Sequence, residues 1–159
     1  MADDLLRALD DAREAFLDAL ADVDAALVTV PGVVDDWSVR DLVVHLAAWD
    51  EHGTSAIELA VNGRGAEFAY STGDTDAMNA RILADGRSTS PTDALAREDA
   101  AFAAFRSAVA ALDPALVVLR LGNGDSVAEV IVYDGPEHYA EHTEHLRAWF
   151  DGSDDGDPD

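Results

Sequence analysis

Glu137-His138-Tyr139-Ala140-Glu141-His142-Thr143-Glu144-His145 holds three of the chain's five histidines. On a helix, residues three and four apart share a face, so His138, His142 and His145 form one stripe, which Trp149 continues. A His-x-x-x-His pair can chelate one transition metal, because a single helical turn brings both rings to a common point. Imidazoles on a face where a bundle core expects Leu or Val therefore point to metal binding. The alternative is a solvated polar face on an acidic helix. His45 lies on another apolar stripe, with Leu42, Trp49, His52 and Ala56. A lone histidine in such a place is more often a hydrogen-bonded core residue than a ligand. Here, however, a matching histidine stripe lies near the C-terminus. His52 is about 10 Å further along the same helix than His45. It is expected at the helix end or in a pocket wall, not on the same ion.

The elements that position these residues follow from hydrophobic periodicity. Leu5, Leu9, Ala12, Phe16, Leu20, Val23 and Leu27 recur at steps of three and four, which predicts an amphipathic helix over 3–29, ended by Pro31-Gly32. Ser38 followed by Asp41 predicts a capped start to a second helix, which carries His45 and breaks at Asn62-Gly63-Arg64-Gly65. Residues 66–75 read as irregular, with Phe68 and Tyr70 as anchors, and a short helix over 76–85 stops at Gly86. A connection of this length suits a crossover between parallel helices. Ser90-Pro91 opens a third long helix with Leu95, Phe102, Phe105, Val109 and Leu112 as its inner stripe and no chemistry beyond packing. Residues 115–121 could be a strand or a helical turn. Ser126 caps a fourth long helix, interrupted at Gly135-Pro136 and ending near Phe150. The domain is thus expected over 1–150, with a disordered acidic tail over 151–159.

Composition narrows the partners. The chain has 159 residues, 33 Asp and Glu against 10 Arg, no Lys and a net charge of −23. Such a surface repels phosphate backbones and anionic bilayers, so neither nucleic acid nor membrane is an expected partner. The acidity suits a salt-adapted host, with a high-GC coding bias as the alternative cause. Cysteine is absent, so any metal must use His and carboxylate, and the protein supplies no thiolate. The N-terminus lacks the pattern of a signal peptide, and no apolar run is long enough to span a bilayer, which makes a cytoplasmic location the expectation.

Two stretches together carry a family resemblance. Trp37-Ser38-Val39-Arg40-Asp41-Leu42-Val43-Val44-His45-Leu46-Ala47-Ala48-Trp49 resembles the W-S-v-x-D-l-x-x-H-l-a-x-W segment of the DinB-like, or YfiT-like, superfamily. His138-Tyr139-Ala140-Glu141-His142 resembles its C-terminal H-x-x-x-H. The resemblance implies an all-α four-helix bundle with a long crossover between the second and third helices. It implies a divalent transition metal (zinc or nickel, with iron or manganese as alternatives) held by His45, His138 and His142. Relatives of the mycothiol-dependent maleylpyruvate isomerase type use Glu-x-x-x-His on the last helix, a spacing that Glu141 and His145 also have. It further implies a metal-dependent hydrolase or a thiol-dependent transferase or isomerase acting on a small molecule, a low-molecular-weight thiol as a second partner, and a homodimer. Glu141 or Asp41, each within a turn of a ligand, could orient that ligand or act as general base; surface charge is the alternative for both. A non-catalytic metal-binding or stress-response bundle is the competing reading, in which the ion only ties two helices together.

Overall fold

The apolar stripes become helices of a bundle in the computed structural model, which describes residues 2–154. The helices are α1 (Ala2–Ala21), α2 (Val39–Val61), α3 (Thr75–Arg87), α4 (Pro91–Ala110), α5 (Val127–Asp134) and α6 (Pro136–Asp154). α5 and α6 are the two halves of the fourth arm. α2 packs chiefly on α4, and α1 on α6. The crossover from α2 to α4 carries two short 3-10 turns and α3, which lies against α2.

Each long arm places large side chains in one core: Leu9 and Phe16 from α1, Leu42, Leu46 and Ile57 from α2, Phe105 and Val109 from α4, and Ile131 and Leu146 from α5 and α6. Burying such side chains is worth roughly 1.5–3 kcal/mol apiece before the entropy of ordering the chain is counted. Local chemistry sets the helix starts. Ser38 accepts from the Asp41 amide at 3.2 Å while Asp41 accepts from the Ser38 amide at 3.0 Å, a complete capping box. Ser126 and Glu129 repeat the device on α5, and Ser90 caps α4 with Pro91 in its first turn.

The structure differs from the sequence expectations in four places. The first helix ends at Ala21 instead of running to residue 29. Asp24 accepts from the Ala26 amide at 2.9 Å and starts a separate 3-10 turn, so Val23 still packs on the core from a bent segment. α3 continues through Gly86 to Arg87. Gly86 is there for close approach, since an added Cβ would lie 3.3 Å from Asp41 Oδ1 and 3.5 Å from the Val44 side chain. Leu95 is 46% exposed, because Ala94 and Glu98 take the inner face of α4. Residues 115–121 take the helical turn of the two alternatives, not the strand: a 3-10 turn over Pro114–Leu116 leads to an isolated antiparallel bridge between Arg120 and Ser126. α6 passes Phe150 and runs to Asp154, so the backbone stays helical into the acidic segment, and the rest of that segment lies outside the described residues. Among the described residues no helix is long and apolar enough to cross a membrane.

Candidate metal centre

The first third of α2 and the start of α6 meet at three histidines. His45 enters from α2, where its neighbours Leu42, Val44, Leu46 and Trp49 are all buried. His138 and His142 enter from α6, one turn apart. The break at Gly135 sets their direction. Gly135 keeps a hydrogen bond to Ile131, an added Cβ would lie 2.7 Å from the Ile131 carbonyl, and Pro136 begins α6 where its missing N–H costs nothing. The fourth arm thus restarts in a new phase, and His138 and His142 face α2.

Their Nε2 atoms converge. His45 Nε2 lies 2.7 Å from His138 Nε2, which lies 3.0 Å from His142 Nε2. One nitrogen from each of the three rings lies within 4.8 Å of the others, and the group could hold a metal ion. Burial, then the neighbouring rings, lowers His45 and His138 to about 3 and His142 to about 2. The rings are therefore neutral near pH 7, and in the tautomer with the proton on Nδ1 each turns an Nε2 lone pair toward one small volume. A cation is the species that such a set accommodates, which fits a divalent transition metal bound by neutral imidazole.

Further groups hold two of the rings in place. The Asp134 backbone carbonyl accepts a hydrogen bond from His138. His145 Nδ1 lies 3.1 Å from His142 Nδ1, so His145 backs the ring of His142 and does not join the Nε2 cluster. His45 Nδ1 is buried without a hydrogen-bond partner; the Trp37 ring stands edge-on to the His45 ring at 4.7 Å. A tight turn brings Trp37 there: Asp35 takes a left-handed φ of 50°, and the Trp37 amide donates to the Val34 carbonyl at 2.8 Å.

A cavity of about 940 Å³ opens over the histidines. α3 forms one wall through Thr75, Asp76 and Asn79, and Asn79 accepts from the Trp49 indole at 3.0 Å. Glu141 is exposed and lines the cavity. Asp41 does not line it; its carboxylate is spent on the Ser38 amide, with Arg40 at 3.4 Å. His52 lies away from the cluster, as its distance along α2 requires, and pairs with Asp134 Oδ2 at 2.7 Å. Burial raises Asp134 to about 6 against the opposing pull of His52.

Sequence reasoning missed two sets of residues. Asp134 joins His52 through its carboxylate and His138 through its carbonyl. Behind the site, Tyr139 touches Asp50 Oδ2 at 2.5 Å and Glu98 Oε1 at 2.7 Å, and Arg13 forks onto Glu98 at 3.0 and 2.9 Å. The signal for this second set was present. Arg13 falls between Leu9 and Phe16, Asp50 between Leu46 and Ile57, and Glu98 between Ala94 and Phe105, each a charge at an interior position of an apolar stripe.

The fold and the cluster define an all-α, DinB-like bundle with a three-histidine site between its second and last helices. The model of the mycothiol maleylpyruvate isomerase N-terminal domain matches residues 9–146, and the chain belongs to that family. A crystal structure of an uncharacterised protein from Escherichia coli UTI89 superposes with a TM-score of 0.82 at 17% identity, over 97% of this chain and 95% of that one. At that identity the likeness bears on fold alone. No curated protein matches the chain.

Proposed function

We propose that the chain is a metal-dependent enzyme acting on a small molecule, with one divalent transition metal on the Nε2 atoms of His45, His138 and His142. The reaction is a hydrolysis or a thiol-dependent transfer or isomerisation. The convergence of three neutral imidazoles, two buried and one half-buried, at the floor of a cavity carries this reading. A closed site would suit an ion that only ties helices together; the open cavity favours chemistry. The family description, which names mycothiol, supports a thiol as co-substrate.

A metal bound there would polarise a carbonyl or lower the pKa of bound water to about 7. The chain's own residues supply the rest. Asp134 and His145 hold the His138 and His142 rings so that Nε2 faces the cavity. Glu141, at the cavity wall one residue before His142, takes the proton from the attacking water or thiol. Trp37 and Trp49 cover the histidines from the α2 side and exclude water. Asp41 serves the fold as a helix cap.

Elemental analysis of protein purified without added metal should find about one transition-metal ion per chain. His45→Ala, His138→Ala and His142→Ala should each lose most of it. His52→Ala should keep it. His145→Ala should retain metal with weakened affinity, since it removes a ring behind a ligand and not a ligand. Loss in His145→Ala together with retention in His138→Ala would move the site to His45, Glu141 and His145. Retention in every variant would place the ion elsewhere and end the proposal.

A further inference from the structure

The cavity walls combine aromatic rings with carboxylates. Trp37 and Trp49, two of the chain's three tryptophans, line it, as do Tyr70 and Tyr133, two of its three tyrosines. Trp49 meets Tyr70 edge to face at 5.5 Å, and Tyr70 meets Tyr133 at 6.2 Å, which makes a continuous aromatic wall. Asp35, Asp76, Asp125, Asp134 and Glu141 share the lining. Among the described residues no Arg lines the cavity, and the chain has no Lys. Asp134 is engaged by His52, and Asp125 accepts from Tyr133 at 3.1 Å and Asn123 at 2.9 Å. Asp35, Asp76 and Glu141 are exposed at the rim.

We propose that this cavity takes a small organic cation, an amine or quaternary ammonium on an apolar or aromatic body, and rejects dicarboxylates. The proposal rests on the small-molecule site described above and names its substrate class. A cation over the face of Trp or Tyr is held by the ring quadrupole, and more strongly where water is displaced. A cleft lined by one sign of charge concentrates ligands of the other sign. A divalent ion on the histidines would add two positive charges against five lining carboxylates, so acid remains in excess. A monoanion could reach that ion, but the second carboxylate of a diacid would find no guanidinium or ammonium partner. A thiol co-substrate is, on the same ground, uncharged or cationic.

The test follows the three indole N–H signals of the full chain by NMR, metal-free and zinc-loaded, at fixed ionic strength. The probes are benzyltrimethylammonium, benzyl alcohol and maleate. In both forms the ammonium should shift two indole signals, those of Trp37 and Trp49, and bind about ten-fold tighter than the alcohol. Maleate should leave those signals in place in the metal-free form and bind more weakly than the ammonium in the zinc form. Asp76→Asn with Glu141→Gln should weaken ammonium binding several-fold and leave the alcohol unchanged. Glu14→Gln with Asp18→Asn, the same charge change on the exposed face of α1, should leave both unchanged. An equal effect of the two double variants would reduce the preference to the overall acidity of the protein and overturn the proposal. Maleate binding as tightly as the ammonium would also overturn it. Failure of the metal-site reading shows separately, as absence of zinc uptake, and leaves the metal-free result standing.

Discussion

Tyr139 has one phenolic proton and two carboxylate neighbours, Asp50 and Glu98. One of those contacts therefore needs a carboxyl that donates. Arg13 forks onto Glu98 and stabilises its charge, whereas Asp50 is fully buried with Oδ1 unpartnered. Burial raises Asp50 well above the usual carboxylate range, and the Glu98 charge adds to the rise against the pull of the Tyr139 hydrogen bond. The consistent arrangement is a protonated Asp50 donating to Tyr139, which donates to Glu98. A carboxyl whose pKa is raised in the fold stabilises fully below its unfolded pKa and loses that contribution as pH climbs toward the folded value. Asp50→Asn supplies a donor without that loss. It should be at least as stable as wild type at pH 7, and its advantage should shrink toward pH 4, by at most about 1.4 kcal/mol per pH unit. Glu98→Gln leaves Arg13 half-paired in a largely buried setting and should cost about 2–3 kcal/mol. Urea unfolding of both variants across pH checks this; a large loss in Asp50→Asn at pH 7 would mean that Asp50 is ionised in the fold.

At the scale of the element, α2, which carries His45, sits close to α4. Gly53 makes that approach possible: an added Cβ would lie 2.7 Å from Phe105 Cζ and 2.8 Å from Cε2, and Phe105 is fully buried. Gly53→Ala gains up to about 1 kcal/mol of helix propensity. Against that, overpacking a filled core costs roughly 1–3 kcal/mol. The net expectation is destabilisation by about 1–2 kcal/mol, read as a lower urea midpoint with an unchanged slope. A more stable variant would mean that the Phe105 ring yields freely and the helix spacing is not set here. The crossover shows the same dependence on close contact. α3 rests on Asp41 and Val44 through Gly86, and that seat places Asn79 against Trp49.

For the whole molecule, acidity is the property with the widest reach. A net charge of −23 leaves strong self-repulsion at low ionic strength. The interhelix ion pairs are sound in geometry, with Arg97 forked on Glu51 and Arg106 on Asp10 at 2.7–3.0 Å. Exposed pairs of this kind contribute only about 0–1 kcal/mol each. Screening should therefore stabilise the fold. Tm is expected to rise by about 5 °C or more between roughly 10 mM and 1 M salt, as the Debye length falls from about 30 Å to about 3 Å. A flat calorimetric profile would favour coding bias over salt adaptation as the origin of the acidity.

The family, the helical plan and the candidate histidines on the second and last helices were legible in the chain itself. Helical periodicity and capping are local: Ser38 with Asp41 and the Leu9–Phe16 stripe declare themselves within a few residues. Which histidines meet was not local. His138 and His145 lie on one stripe, and only the phase in which α6 restarts after Gly135 turns His138 toward His45 and leaves His145 behind His142. Asp41 and Glu141 looked equivalent, each within a turn of a histidine. Packing separated them, because the capping box spends Asp41 on a backbone amide while the outer face of α6 leaves Glu141 at the cavity. The charges of Arg13, Asp50 and Glu98 sat visibly on apolar stripes, but their partners lie on other helices, and sequence periodicity carries no information about which stripes face each other. The cavity is the furthest from sequence, since its walls come from the 34–37 turn, α2, the crossover with α3, the 123–125 loop, α5 and α6, and exist only where those elements converge.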